Sequence, residues 1–442
     1  MQPGERPGPT PSSCADAATI RRKGAPMPRL RITVGPGDNC AIQEAVDKAA
    51  AKGGGKVILR PGVYLMQDSL HLRSGVHVEG SGPDTVLRKA PEVRSELSAD
   101  LGYGHYDVSL AEPDKFRVGM GVLITDSRAG GFYDTQATLT WREGDRFGIS
   151  RMLNHDYSRG AKGYAVSLFP VISGSHIERA SVANLAVDGN RAQNPDAING
   201  CRGGGVFLIQ AHEVALRGLH VADVNGDAIS FQQCVGTIVE DCVCEDNAGL
   251  GLHPGSGSVR PVLRRCTCRR NGADGIFYCL RVSYSLCEGC VLEDNGRHGI
   301  SIGGRDTDHL IRSNVIRRNG GCGVFFREHD RVMAGNRCLL EANELAGNCL
   351  RLGEAEVHLA AQLSDVHLIA NRIRPLSPRV AGIKIAAGTE GVVLHDNQID
   401  GDPAAAIVVE GDPSAVRLGP PPAPLPVGPD AAPAGAARHL GA

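Results

Sequence analysis

Four asparagines, Asn247, Asn271, Asn295 and Asn319, each fall 24 residues after the last. They share a frame. Asp241-Cys242-Val243-Cys244-Glu245-Asp246-Asn247 is followed by Arg265-Cys266-Thr267-Cys268-Arg269-Arg270-Asn271. Gly289-Cys290-Val291-Leu292-Glu293-Asp294-Asn295 and Ser313-Asn314-Val315-Ile316-Arg317-Arg318-Asn319 continue it. A fixed period of this size predicts a solenoid, because so short a unit can bury its apolar face only against the next. A solenoid presents a long groove along one flank, so the repeat points to a polymeric ligand.

With 442 residues the chain is long enough for two or three ordinary domains, but a solenoid spends most of that length on one. Aromatics at 4% and 57 glycines suit many short strands with tight turns better than a helical bundle. A net charge of −2 excludes a globally basic nucleic-acid binder, although Arg clusters between Arg260 and Arg327 as a local basic strip. No apolar run approaches ~18 residues, so no membrane span is expected. The first 30 residues lack the apolar stretch of a secretory signal, and so does a start at Met27. The expectation is cytoplasmic for the chain as given, and secreted if its start is misassigned.

There are 14 cysteines. Cys242, Cys266 and Cys290 occupy one repeat position, and Cys244 and Cys268 another. Their spacing follows the repeat and no His accompanies them. They read as a column of small apolar side chains inside the coil rather than as a metal site or disulfides.

Residues 1–30 are expected to be disordered, 31–418 to form the solenoid, and 419–442, rich in Pro and Ala without periodicity, to be a disordered tail. Asp38 or Asn39 starts a short helix with Ile42, Ala45, Val46 and Ala49 on one face, placed to cover the apolar end of the first coil. Gly53-Gly54-Gly55 ends it, and Lys56-Val57-Ile58-Leu59, the turn Arg60-Pro61-Gly62 and Val63-Tyr64-Leu65 follow. The run Ile42-Gln43-Glu44-Ala45-Val46-Asp47, the glycine triplet, the strand and turn through Tyr64, and the repeats from about 178 to 412 together resemble the pectate-lyase-like right-handed β-helix superfamily. The resemblance implies an all-β fold: one right-handed parallel β-helix with an N-terminal capping helix. It implies a carbohydrate-active setting but no single reaction, since that superfamily holds lyases, hydrolases, epimerases and non-catalytic binders. Residues 95–175 break the repeat and read as a small inserted β segment beside the groove, with Val118 to Ile124 as an edge strand.

Aligned on the short strand after each Asn, the coils place Ile229, Leu252, Ile276, Ile300 and Val324 in one column, which must face the core. Ser230, His253, Phe277, Ser301 and Phe325 must then face out, as must Gln232, Gly255, Cys279, Gly303 and Arg327. Asp227, Leu250, Asp274, His298 and Cys322 lie at the turn edge of the same sheet. Asp227 and Asp274 are two coils apart, roughly 10 Å at the coil spacing. Carboxyls about 6.5–9.5 Å apart leave room for the water of an inverting glycosidase. Asp227 and Asp274 are therefore the candidate acid and base, with His253 between them to tune either. The bland alternative is that Asx residues at such turns bond the backbone. Gln232, Tyr278, Arg281, His298, Arg305, Asp306, Arg327 and Glu328 are candidate substrate-binding residues, the arginines because a guanidinium grips a carboxylate with two prongs.

Arg297-His298-Gly299-Ile300-Ser301-Ile302-Gly303 looks like the Gly-His-Gly-Ile-Ser-Ile-Gly run of polygalacturonases, and Asn225-Gly226-Asp227-Ala228-Ile229 like their Gly-Asp-Asp run. Here Ala228 replaces the second Asp and Arg297 the leading Gly, and the two runs stand about three coils apart, so that family's mechanism is not carried over. The sequence thus predicts an enzyme that cleaves a polysaccharide, acidic in character, in a groove over residues 227 to 329, by hydrolysis. The alternatives are a lyase or C5-epimerase, with His253 or Tyr278 taking the C5 proton, and a non-catalytic glycan binder. No metal or cofactor is expected, calcium entering only with a lyase; no nucleic-acid or membrane partner is expected.

Overall fold

The computed structural model describes residues 30–130, 132–196, 200–402 and 406–433. The expected disorder of residues 1–29 and 434–442 lies outside them. The chain winds into a parallel β-solenoid, one 23-stranded and one 11-stranded sheet wrapping a single core that runs from Val34 to Leu394. Register is strictly coil on coil: Ile229 pairs with Leu252, Leu252 with Ile276, Ile276 with Ile300 and Ile300 with Val324. All five are fully buried, as their column requires.

The corners explain the 24-residue frame. Asp241, Arg265, Gly289 and Ser313 occupy one left-handed corner with φ of 51–63°, and Asp246, Arg270, Asp294 and Arg318 a second at 53–57°. The periodic asparagine follows the second corner and turns inward. Asn247 Nδ2 donates to Asn271 Oδ1 (2.9 Å) and to Val221 O (3.2 Å), while the Asn247 N–H donates to the same Asn271 Oδ1 (3.3 Å). The pattern repeats from Asn271 to Asn295, Asn319 and Asn348, and closes on the carboxylate of Glu356. A second ladder runs through Asn314, Asn343, Asn371 and Asn397. Each amide sits where its donors and acceptor are all used, which is the condition for burying a polar group without a large penalty. The cysteine column is confirmed: Cys242, Cys244, Cys266, Cys268 and Cys290 are free thiols exposed by no more than 1%.

Helix α1 (Asn39–Ala51) is capped by Asp38, whose Oδ1 accepts the Cys40 N–H, and buries Ile42, Ala45, Val46 and Ala49 against the first coil. The inserted segment is a six-stranded antiparallel sheet spanning Arg94 to Val166 with its own core around Phe116, Phe147 and Tyr157. The expected edge strand is central: Gly121–Thr125 pairs on both sides, with Thr135–Glu143 and Tyr164–Val166, and all five residues are buried. The Pro/Ala-rich stretch is placed as far as Pro433 rather than loose from 419. It bonds across coils instead of within the repeat, the Gly428 N–H donating to Asp308 O (2.9 Å).

Candidate functional site

The 11-stranded sheet carries one outward column from end to end. His71, Ser173, Phe207, Ser230, His253, Phe277, Ser301, Phe325, His358, Lys384 and Val408 stand in successive coils of it. Single-residue alternation fixes this, so each side chain is lifted onto the same flank one coil spacing from the last.

His253 is the chemical centre of its middle. Its Nδ1 lies 2.8 Å from Asp227 Oδ2, the side chain is 12% exposed, and its Nε2 has no hydrogen-bond partner among the described residues. Burial disfavours the imidazolium, but the Asp227 carboxylate and Cys279 more than offset this and raise the pKa to about 9. Cys279 lies one coil on, its N–H bonded to Pro254 O at 3.1 Å. Burial pushes its thiol up, the His253 charge pulls it down further, and the result lies below the ordinary thiol range. Only its membership of the outward column marked Cys279 in the sequence. Phe277 meets the His253 ring edge-on with centroids 5.6 Å apart. The Arg327 guanidinium lies 4.3 Å over the centroid of the Phe277 ring.

Asp227 and Asp274 do not open onto a shared space. Asp227 is 5% exposed and Asp274 is fully buried. Each spends Oδ1 on the backbone of the next coil, Asp227 on the Leu250 N–H (3.0 Å) and Asp274 on the His298 N–H (2.8 Å). This is the turn role of an Asx side chain, and Asp227 combines it with holding His253. Asp274 Oδ2 has no hydrogen-bond partner among the described residues, and burial raises the Asp274 pKa.

The remaining candidates divide. Tyr278 points into the core, fully buried, its hydroxyl bonded to Ser285 Oγ and its ring stacked on His309, so it cannot take a substrate proton. Alternation already required this once Phe277 faced out. His298 is 4% exposed, accepts the Cys322 N–H at Nδ1 and stacks on Phe325, a framework role. Gln232 is buried and donates to Ser230 Oγ (3.2 Å). Asp306 is buried, accepts from the Val282 and Gly303 N–H groups, and anchors Arg327 at 3.2 Å; burial pushes its pKa to about 6 against those donors. Arg327 is further fixed by Ser301 Oγ and the carbonyls of Tyr278 and Cys279. Arg281 and Arg305 stand exposed on equivalent left-handed corners beyond the groove sheet, and Glu328 is exposed.

The arginine cluster is not a basic strip. Arg264, Arg265, Arg269, Arg270, Arg317 and Arg318 each meet Glu or Asp of a neighbouring coil. Their charge is cancelled on the far flanks, while Arg281 and Arg305 make no ion pair with an acidic side chain among the described residues. Among the described residues no group of three or more His, Cys, Asp or Glu is arranged to hold a metal ion.

The family model described as "Right handed beta helix region" matches residues 171–278 and 204–373. The fold is a right-handed parallel β-helix. No curated protein matches the chain in sequence. The A-module of Azotobacter vinelandii mannuronan C-5 epimerase AlgE4 is 16% identical, over 86% of this chain and 96% of that one, with a TM-score of 0.52. The Dettilon tailspike protein (gp208) is 14% identical over 85% of this chain and 66% of that one, with a TM-score of 0.50. At these identities the likeness is one of fold.

Proposed function

We propose that this β-helix binds an acidic polysaccharide along the outward column of its 11-stranded sheet and acts on uronate residues by proton transfer at C5, as a lyase or C5-epimerase. The observation that carries this reading is the Asp227–His253 pair, a carboxylate-held imidazole on the groove sheet whose Nε2 is buried beside Cys279 without a hydrogen-bond partner among the described residues. A C5 proton needs a base, and the base must be stabilised once charged. Asp227 does this, since it lies against Nδ1 and holds the resulting imidazolium. The carbanion formed at C5 spreads into the neighbouring carboxylate, where a cation must meet it; Arg281 and Arg305 are exposed guanidinium groups at the groove's edge. Phe277 and Phe325 supply apolar faces for sugar rings. The fold likeness to a mannuronan C-5 epimerase module supports the class of chemistry.

Hydrolysis by Asp227 and Asp274 keeps one supporting observation, the raised pKa of Asp274, which a general acid needs. A panel of polyuronates separates the readings. A lyase gives a product absorbing in the ultraviolet, an epimerase a changed C5 proton spectrum without new chain ends, and a hydrolase reducing ends alone. Reducing ends without ultraviolet absorbance, or no turnover on any polymer, would sink the proton-transfer reading.

A further inference from the structure

The first two members of the outward column make a site of their own. His71 Nδ1 lies 2.8 Å from Ser173 Oγ, and His71 Nε2 lies 3.1 Å from Asp68 Oδ2. Asp68 is 5% exposed and is held from two further directions, by its own neighbour's amide (Ser69 N–H, 2.7 Å) and by Thr138 of the inserted sheet (Oγ1, 2.6 Å). Gly121 packs so closely that a Cβ there would lie 2.2 Å from Asp68 Oδ1, so the inserted sheet is fitted around this carboxylate. His71 is fixed in turn by Gln43 of α1, which bonds both its N–H (2.9 Å) and its carbonyl (3.1 Å).

These three residues line a cavity of about 230 Å³ between the inserted sheet and the first coils. Phe132, Phe169 and Phe207 give it apolar walls and Arg151 stands exposed in its lining. A histidine stacked on a serine is not by itself a site: His77 and Ser181 make the same contact at 2.9 Å on the other sheet. At His71 the second ring nitrogen is held by the buried carboxylate of Asp68, and the serine facing the first lines the cavity.

We propose that Ser173, His71 and Asp68 form a second site, in which Ser173 is an acyl-accepting nucleophile towards esters of short acyl groups. Asp68 takes the Nε2–H, which leaves Nδ1 as the acceptor facing the serine hydroxyl. Ser173 Oγ attacks the ester carbonyl while its proton passes to His71 Nδ1. The tetrahedral intermediate expels the alcohol, which leaves with that proton. Water then adds to the acyl-serine, gives its proton to His71, and releases the carboxylic acid with Ser173 regenerated. Arg151 and Arg202 both line the cavity and are the cations available to the oxyanion.

The test uses the full chain with a fluorophosphonate probe, read by peptide mass spectrometry, and with p-nitrophenyl acetate. The expected result is one adduct, on Ser173, and ester turnover that Ser173→Ala abolishes. Asp68→Asn should slow both by about 100-fold or more, since a neutral partner no longer fixes the histidine's tautomer. Ser181→Ala, which removes the serine of the His77 contact on the other sheet, should leave them unchanged. Labelling of the unmodified protein needs no variant to fold. No adduct at Ser173, or turnover that survives Ser173→Ala, would overturn the proposal. His253→Ala should leave this labelling intact, so the two sites stand or fall separately.

Discussion

Asp227 Oδ2 and His253 Nδ1 lie 2.8 Å apart on adjacent coils, the carboxylate at the turn edge of one strand and the imidazole on the outward face of the next. Neither position is reached by the other through local sequence. Winding the chain once round brings them together, so the pair exists only in the folded coil.

His253→Ala should abolish turnover on the polyuronate substrate, and Asp227→Asn should lower kcat by about 100-fold or more while leaving KM within a few-fold. His253→Ala also removes an imidazolium partner from Cys279. The alkylation rate of Cys279 at neutral pH should therefore fall in that variant, a readout that a purely structural role for His253 would not move.

The pH dependence has a definite sign. His253 titrates near 9 in the fold against 6.5 for an ordinary histidine, so the fold favours its charged form. The resulting stability is fully present below pH 6.5 and is lost as pH rises through 9, at ~1.4 kcal/mol per pH unit and on the order of 3 kcal/mol in all. As a base, His253 works only when neutral. In the proton-transfer reading kcat/KM should climb about tenfold per pH unit towards pH 9 and then level. Tm should drift down over the same window, and His253→Gln should flatten both profiles.

Tyr278→Phe separates core from groove. The hydroxyl is bonded to Ser285 inside the coil, so activity should be unchanged and stability should fall by about 1 kcal/mol, read by denaturant melts. A loss of turnover with unchanged stability would return Tyr278 to the chemistry.

Asn295→Ala should be among the most damaging single changes. It strips partners from Cys268 O, from Asn271 and from Asn319 Oδ1, all buried. The expected cost is about 2–4 kcal/mol, against at most about 1 kcal/mol for Asp294→Ala next to it, whose exposed ion pair with Arg318 is weakly held.

Arg281→Ala with Arg305→Ala should raise KM for an anionic polymer several-fold and weaken its salt dependence, with Tm unchanged, because both side chains are exposed. An unchanged KM would place the carboxylate elsewhere.

The period made the scaffold legible. The column from Ile229 to Val324, the cysteine stack and the capping helix follow from a 24-residue frame and strand alternation, and all stand as read. Tyr278 is the exception: alternation turns it inward because Phe277 beside it faces out, so the expected ligand role does not hold. Asp227 and Asp274 illustrate a different limit. Their place at the turn edge was readable, but whether a carboxylate there faces ligand or backbone depends on the next coil's amide, which only the fold supplies. The Asp68–His71–Ser173 grouping left no trace, because 102 residues and the whole inserted sheet separate His71 from the serine it touches.

The asparagine ladders have a direction: each Nδ2 reaches towards the C-terminal neighbour, and the series ends on Glu356. A partial turn added anywhere along it would put a mismatched side chain opposite an amide and break the chain of donors. Whole turns alone can be gained or lost. The number of sugar-sized positions along the flank therefore changes only in discrete steps, so a shorter or longer version of this molecule would differ by complete turns, which here run from 24 to 29 residues.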